Sequence, residues 1–113
     1  MVVNKKQPLI FKPWRPGKKM VIGHYGISVP DNDQTLIPDL IICPLLAYDS
    51  KGMRLGYGGG FYDRTIKYFR KNKQVKYIGL AFSGQKSYHD LPSEVHDVPL
   101  DAVLTETGMD YFQ

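Results

Sequence analysis

The sequence predicts an α/β fold in three layers, with an open, mostly parallel sheet and flanking helices. The first observation is a pair of unbroken apolar runs at residues 39–46 and 76–82, which are typical of strands buried on both faces of a parallel sheet. The second is the glycine-rich loop and helical pattern that lie between them. Strand, loop, helix and strand therefore form one right-handed βαβ unit.

Three strands are predicted around this unit. The first covers residues 40–46 and has Pro44 near its carboxyl end, because proline cannot donate to a sheet ladder. The second covers residues 76–82. The third is the run Ala102–Thr105, which follows a loop rich in proline. The ligand-binding loops of open α/β sheets follow the carboxyl ends of strands, so residues 47–60 are placed where a ligand would bind.

The helix is predicted over residues 61–71. Tyr62, Ile66 and Phe69 recur at helical spacing and form an apolar stripe. The basic side chains of this segment, which include Lys67, are assigned to the opposite, solvent-facing side. The pattern is therefore that of an amphipathic helix packed on the sheet.

The two ends of the chain are less regular. Residues 9–11 are compatible with a short strand and residues 20–22 with another extended piece, whereas residues 23–38 are rich in turn-forming glycine, proline and aspartate. Residues 106–113 show no clear pattern. With 113 residues, the chain is predicted to be one domain spanning 1–113.

Composition excludes several classes of protein. No apolar run reaches the roughly 18–20 residues of a membrane span, and the N-terminus lacks the apolar core of a secretory signal. Cys43 is the single cysteine, which excludes a disulfide framework and favours a reducing, cytoplasmic setting. Because Cys43 lies within an apolar strand, it is interpreted as a small buried hydrophobe.

The net charge of +4 is unevenly distributed. Residues 1–20 and 64–76 carry basic runs, whereas residues from 90 onward carry only acids. Basic clusters can attract nucleic acid or an anionic small molecule. For most of these lysines a solvated surface is the favoured interpretation, so no nucleic acid is expected, and RNA binding stays the weaker alternative.

The loop from Arg54 to Arg64 is the strongest functional signal. It contains four glycines, which let backbone amides approach an anion, and it leads into a helix N-terminus with its partial positive charge. It lacks the spacing of a dinucleotide fingerprint, the Gly-Lys-Ser/Thr ending of a Walker A loop and the basic residue that begins an RNA-recognition motif. A turn without a ligand remains the alternative.

Two carboxylates are candidates for a shared Mg²⁺. Asp63 follows the glycine loop and Asp97 follows the second predicted strand, so the two could meet if these loops converge. The alternative is that Asp63 only complements the dipole of the helix. The three histidines show no metal-ligand spacing, and a His96–Asp97 catalytic pair is disfavoured because adjacent side chains in an extended loop point apart.

Four segments together resemble the 5-formyltetrahydrofolate cyclo-ligase family. They are residues 38–49, 52–64, 96–97 and 101–106, of which the Arg-Leu-Gly-x-Gly-x-Gly-aromatic-Tyr-Asp run is the most specific, and the resemblance extends from about Leu9 to Glu106. It implies the fold of that family, which is similar to NagB, RpiA and CoA transferases. The N-terminal helix and strand of the family have no match here, so the chain resembles its C-terminal part.

The resemblance also implies a reaction and a site. Family members use ATP and Mg²⁺ to close 5-formyltetrahydrofolate to 5,10-methenyltetrahydrofolate: ATP phosphorylates the formyl oxygen, N10 attacks the activated carbon, and phosphate leaves. The implied catalytic residues are Arg54 and Tyr62, and the implied Mg²⁺ ligands are Asp63 and Asp97. ATP would contact Arg54, Leu55, Gly56, Tyr57, Gly58, Gly59, Gly60, Phe61 and Tyr62, and the folate would contact Tyr25, Tyr57, Gly58, Gly59, Gly60 and Phe61.

The sequence departs from the family pattern in three side chains. Phe61 stands where many members have tyrosine, Gly59 replaces a lysine of some members, and Val29 replaces an often acidic residue. Without the N-terminal strand, apolar sheet faces would be uncovered. The chain is therefore expected to self-associate or to need an N-terminal partner chain. A non-catalytic remnant that binds nucleotide or folate is the alternative to the enzyme.

Overall fold

The computed structural model describes a mixed α/β chain built around one mostly parallel sheet. The described residues are 8–23, 26–31, 34–56, 60–71, 74–92 and 98–112. In these ranges the one α-helix, α1, covers Phe61–Phe69, and no helix is long and apolar enough to cross a membrane.

The central sheet has four strands, β3 (Leu40–Pro44), β6 (Lys76–Leu80), β7 (Ala102–Thr105) and β8 (Gly108–Tyr111), in the order β3-β6-β7-β8. The first three run parallel, and β8 pairs antiparallel with β7. The helix α1 connects β3 to its parallel neighbour β6, which confirms the βαβ arrangement expected from the two apolar runs.

Two small antiparallel hairpins complete the strands. β1 (Met20–Ile22) pairs with β2 (Ser28–Pro30), and β4 (Ala47–Tyr48) pairs with β5 (Arg54–Leu55). The second hairpin directly follows the carboxyl end of β3. It therefore places Arg54 beside the start of α1, where the glycine loop ends.

The hydrophobic core lies between α1 and one face of the sheet. Ile41 and Cys43 of β3, together with Val103 of β7, are at most 2% exposed and pack in one cluster with Ile66 and Phe69 of the helix. A buried Thr65 ties the helix to the N-terminal segment, because its hydroxyl accepts a hydrogen bond from the Leu9 amide at 2.8 Å. Burial of this apolar stripe is what holds the helix on the sheet.

The prediction that the central strands are buried on both faces was wrong. Burial alternates along β3 and β6, and the face turned away from α1 exposes Ile42 at 56% and Leu80 at 55%. Register places the apolar residues of this face side by side across the sheet: Leu40, Ile42, Ile78, Leu80, Leu104, Met109 and Tyr111. We call these seven residues the bare face, since all of them except the partly buried Ile78 are exposed. Ala102, which pairs with Ile78 on the same face, is buried.

The remaining differences from prediction concern element ends. The helix ends at Phe69 and β6 at Leu80, a few residues earlier than expected, and residues 9–11 form only an isolated bridge from Phe11 to Leu36. The strands β2, β4, β5 and β8 were not predicted. All four residues of β8 are exposed, so no buried alternation marks this strand in the sequence.

Gly79, in the middle of β6, is expected to tolerate no side chain. A Cβ there would lie 2.8 Å from Leu45 Cδ2 and 2.9 Å from Leu100 Cδ1, both in the core. Gly79→Ala should therefore lower the free energy of unfolding by about 1–3 kcal/mol through overpacking. Urea denaturation provides the measurement. The matched control is Gly84→Ala, since a Cβ at Gly84 meets nothing within 4 Å. Equal stability of the two variants would contradict the tight packing around β6.

Candidate active site

A cleft of about 280 Å³ opens between β5, the first turns of α1 and the segment that follows Leu91. Arg54, Asp63 and Lys67 supply its charged lining, and Gly56 and Gly60 of the glycine loop also line it. Pro92 and Val98 form the opposite wall. The cleft therefore joins the loop that the sequence singled out to the loop after the second parallel strand, as expected for an α/β sheet.

Arg54 and Asp63 form an ion pair inside this cleft. The distance from Arg54 Nη1 to Asp63 Oδ1 is 2.9 Å. The arginine side chain is only 6% exposed, whereas the aspartate is 54% exposed. The guanidinium is therefore largely desolvated, whereas its carboxylate partner is accessible to solvent. Both groups were predicted as site residues, and the structure brings them together.

Tyr62 and Gly56 lie next to the Arg54 guanidinium. Its Cζ lies 5.7 Å from the centroid of the Tyr62 ring, and a Cβ at Gly56 would come within 3.1 Å of Nη2. The Nε atom is buried and has no hydrogen-bond partner in the described part of the chain. Burial raises the pKa of Tyr62 above its usual range, although the charge of Arg54 opposes the rise, so the phenol stays protonated at neutral pH.

Gly60 starts the helix in a conformation that favours glycine. Its φ is 72°, in the left-handed region, and its carbonyl accepts the first helical hydrogen bond from the Arg64 amide at 3.0 Å. Within the described residues no side chain caps this terminus. Arg64 lies over the Phe61 ring, with Cζ 4.9 Å from its centroid. The cleft is therefore bordered by a helix N-terminus, which favours anions.

Asp49, a buried aspartate that was not predicted as a site residue, links two segments next to the cleft. Asp49 is 1% exposed. Its Oδ1 accepts hydrogen bonds from the amides of Lys51 at 2.9 Å and Met53 at 3.0 Å. Its Oδ2 accepts one from the Leu91 amide at 2.9 Å. One carboxylate thus joins the turn before Arg54 to the segment that leads into the opposite wall of the cleft.

Lys67 was also missed, because its charge was assigned to the solvent-facing side of the helix. It lines the cleft instead and is partly buried. Its position four residues after Asp63 was the available signal, since residues at this spacing share one helix face. For Asp49 the available signal was its place in the turn after β4.

Several predicted site residues lie outside the described residues. These are Tyr25, Tyr57, Gly58, Gly59 and Asp97. Of the other predicted contacts, Arg54, Leu55, Gly56, Gly60 and Asp63 line the cleft. Phe61 and Tyr62 lie next to it, against Arg64 and Arg54 respectively.

The donor set of the cleft fits a Mg²⁺ ion that is bound together with phosphate. Mg²⁺ commonly takes one or two carboxylates and completes its shell with water and phosphate oxygens. Asp63 is a half-exposed carboxylate at the mouth of the cleft. Among the described residues no three or more histidine, cysteine, aspartate or glutamate side chains are close enough to hold a metal together. These residues therefore do not form a site in which the protein supplies every ligand.

Cys43 is expected to be inert, as its buried position in β3 indicates. Burial raises its pKa to about 11, which outweighs the lowering by Arg54. At pH 8 the native protein should react with a thiol reagent far more slowly than the urea-unfolded chain does. Because this pKa is raised above 9.0 by folding, the thiol contributes stability that is lost as the pH rises from about 9 to 11. Cys43→Ala should lessen this loss, measured by urea denaturation across that range. A native thiol as reactive as the unfolded one would contradict the burial.

Comparisons with known proteins point to one family. Residues 4–106 match the sequence profile of the 5-formyltetrahydrofolate cyclo-ligase family. A 5-formyltetrahydrofolate cyclo-ligase from Haemophilus influenzae is 41% identical over 104 residues, covering 88% of this chain and 54% of that protein. One from Escherichia coli K12 is 38% identical over 102 residues, covering 86% of this chain and 55% of that protein.

A solved structure agrees with these sequence matches. The structure of a 5,10-methenyltetrahydrofolate synthetase from Mycoplasma pneumoniae superposes with a TM-score of 0.53 at 32% identity, covering 68% of this chain and 46% of that one. The chain spans about half the length of the curated relatives it matches. With the profile matching nearly the whole sequence and the fold matching a solved member, the chain belongs to the 5-formyltetrahydrofolate cyclo-ligase family.

Proposed function

We propose that the cleft between β5 and α1 binds ATP and Mg²⁺ and serves the cyclisation of 5-formyltetrahydrofolate to 5,10-methenyltetrahydrofolate, with release of ADP and phosphate. In this reaction ATP phosphorylates the formyl oxygen, N10 attacks the activated carbon, and phosphate departs. The observation that carries the proposal is the buried Arg54 guanidinium paired with the half-exposed Asp63 at a glycine-rich helix start. The cytoplasmic setting favoured by the sequence belongs to the same proposal.

The phosphate chain would lie along the cationic side of the cleft. Arg54 is largely desolvated and lies against Tyr62, so its charge would act on bound phosphate with little screening by water. Lys67 adds a second cation, and the N-terminus of α1 adds its dipole. Phosphoryl transfer is catalysed mainly by such positioning and charge stabilisation. The proposed ATP contacts are Arg54, Leu55, Gly56, Tyr57, Gly58, Gly59, Gly60, Phe61 and Tyr62.

Asp63 and Asp97 are the proposed carboxylate ligands for Mg²⁺. When bound, the ion would neutralise charge on the phosphate oxygens. Asp63 holds Arg54 in the structure described here, so metal binding would compete for that carboxylate. Release of Asp63 would leave the Arg54 guanidinium turned to the phosphates. The cleft would thus exchange an internal ion pair for contacts with MgATP.

The folate is proposed to lie against the aromatic side of the glycine loop. Tyr25, Tyr57 and Phe61 provide flat surfaces for its ring, and Gly58, Gly59 and Gly60 permit close approach of the backbone. Tyr62 is assigned a role through Arg54, whose guanidinium it supports. With its phenol protonated at neutral pH, it could also donate a hydrogen bond to an anionic oxygen.

A second candidate function is that of a nucleotide- or folate-binding half, which turns over only when another polypeptide segment completes it. Two observations favour this candidate. The chain spans about half the length of its relatives, and six apolar side chains of the bare face are exposed. Both candidates share the cleft and its MgATP contacts, and turnover by the chain alone distinguishes them.

Binding of ATP with and without Mg²⁺ tests the proposed site. In the unchanged chain Mg²⁺ should raise ATP affinity, measured by isothermal titration calorimetry. In Asp63→Asn this Mg²⁺-dependent gain should disappear, whereas metal-free ATP binding should be kept or strengthened because Arg54 no longer has an anionic partner. The matched control is Asp110→Asn, an exposed aspartate on β8. A full Mg²⁺ response in Asp63→Asn would contradict the assignment of the metal to this cleft.

A further inference from the structure

The segment that follows β6 runs alongside the segment that follows β3. The Ser87 amide donates a hydrogen bond to the Tyr48 carbonyl at 2.6 Å. Further along, the Leu91 amide donates to the Asp49 carboxylate at 2.9 Å. We call the contact defined by these two pairs the seam. It joins two loops that leave the sheet at the carboxyl ends of neighbouring parallel strands.

Gln85 begins the seam with a side chain whose donor and acceptor groups are all engaged. Its Nε2 donates to the carbonyls of Leu45 at 3.0 Å and Leu46 at 3.2 Å. Its Oε1 accepts from the Phe82 amide at 2.8 Å. An amide side chain has two donor hydrogens and one carbonyl oxygen, so both kinds of group are satisfied here. One side chain therefore joins the turn after β6 to the residues just after β3.

The two sides of the seam lead into opposite walls of the cleft. The Leu46 amide donates to the Leu55 carbonyl at 2.8 Å, which joins this residue to the β4–β5 hairpin that contains Arg54. The other side continues into Pro92, which lines the opposite wall. The relative position of the two walls thus depends on how the two segments are held together.

We propose that Gln85 is a positioning residue for the MgATP cleft, because it fixes the wall that contains Arg54 relative to the wall that contains Pro92. The inference rests on the proposed function of this cleft. Gln85 lines a different cavity, at the carboxyl ends of β3, β6 and β7, so its effect on the cleft passes through the two segments that it joins. Catalytic and binding groups depend steeply on geometry, and a displacement of about 1 Å can cost ~100-fold in activity.

Gln85→Met tests the positioning role. Methionine is neutral and similar in size, so the variant removes three hydrogen bonds without a change in net charge or a large cavity. We expect MgATP affinity, measured by isothermal titration calorimetry, to fall by about tenfold. Amide exchange of Leu46 and Leu91, measured without nucleotide, should become faster by about tenfold.

Val75→Ala is the control for a loss of stability alone. Val75 is 5% exposed and precedes β6, at the end of that strand opposite to Gln85. Its truncation leaves space in the core and lowers stability. At a temperature where both variants are folded, Val75→Ala should keep nearly the MgATP affinity of the unchanged chain, and its Leu46 amide should exchange more slowly than that of Gln85→Met.

The possible failures are distinguishable. Unchanged MgATP affinity in Gln85→Met, unchanged exchange of its Leu46 amide, or an equal loss of affinity in Val75→Ala would each overturn the positioning role. None of these results affects the assignment of MgATP to the cleft, which the Asp63→Asn titration tests. An unchanged chain that binds no MgATP would contradict the proposed function, and the positioning role together with it.

Discussion

Replacing Arg54 by alanine is expected to weaken MgATP binding by about a hundredfold. The guanidinium is 6% exposed, so its charge acts on bound phosphate with little screening by water. The MgATP affinity of Arg54→Lys should lie between those of the unchanged chain and Arg54→Ala. An ammonium keeps the charge, but it cannot both pair with Asp63 in the same geometry and stack on Tyr62. Calorimetric titration of each variant with MgATP measures the effect.

Two comparisons separate lost binding from lost folding. The thermal unfolding midpoint of Arg54→Ala shows whether loss of the side chain that packs on Tyr62 destabilises the fold. Arg70→Ala removes an exposed basic residue just after α1 and should leave MgATP affinity nearly unchanged. If Arg54→Ala and Arg70→Ala lose affinity equally, net charge rather than the buried guanidinium attracts ATP.

Replacing Asp49 by asparagine should uncouple the two walls of the cleft. An asparagine oxygen can still accept from Lys51 and Met53, but its amide group would face the Leu91 N–H, which is also a donor. The loss should be about 1–3 kcal/mol of unfolding free energy, and Asp49→Ala should lose more because three buried donors lose their acceptor. Urea denaturation and the exchange rate of the Leu91 amide are the measurements.

The neighbouring Asp90 provides the control for Asp49. It pairs with Lys51 at 2.9 Å, but both side chains are well exposed, so Asp90→Asn should leave the melting temperature nearly unchanged. MgATP affinity should also fall in Asp49→Asn, because Asp97, which we propose as a Mg²⁺ ligand, follows Leu91 in the sequence. Unchanged exchange of the Leu91 amide in Asp49→Asn would contradict the linking role of this carboxylate.

The sequence was sufficient to predict the parts of the fold that are set by local pattern. β3, α1, β6 and β7 were predicted because their apolar residues run continuously or at helical spacing. The prediction that β3 is buried on both faces was wrong. Its exposed face is as apolar as its packed face, so the sequence pattern does not distinguish the two. An apolar run cannot show which of its faces another element covers, since that depends on packing beyond the strand itself. β8, which is exposed throughout, carried no such pattern.

The site residues that could be predicted are those that lie close together in one short segment of the sequence. Arg54, Gly60 and Asp63 all belong to the glycine loop or its flanks, and the structure brings them together in the cleft. Asp49 and Leu91 are 42 residues apart, and their contact depends on how two loops fold back after different strands. Pairings of this length leave no periodic signal in a sequence.

The most direct test of the central claim is the appearance of 5,10-methenyltetrahydrofolate, which absorbs in the near ultraviolet where its 5-formyl precursor does not. The chain is tested alone and after co-expression with the part of the Haemophilus influenzae relative that it does not match, which would complete the complex that the second candidate function requires. Each sample is supplied with 5-formyltetrahydrofolate, ATP and Mg²⁺. We predict an absorbance rise in the complex that requires ATP and Mg²⁺ and is lost in Asp63→Asn. A folded complex that binds MgATP yet forms no product, or an equal rise with Asp63→Asn, would contradict the assignment of cyclo-ligase chemistry to this cleft.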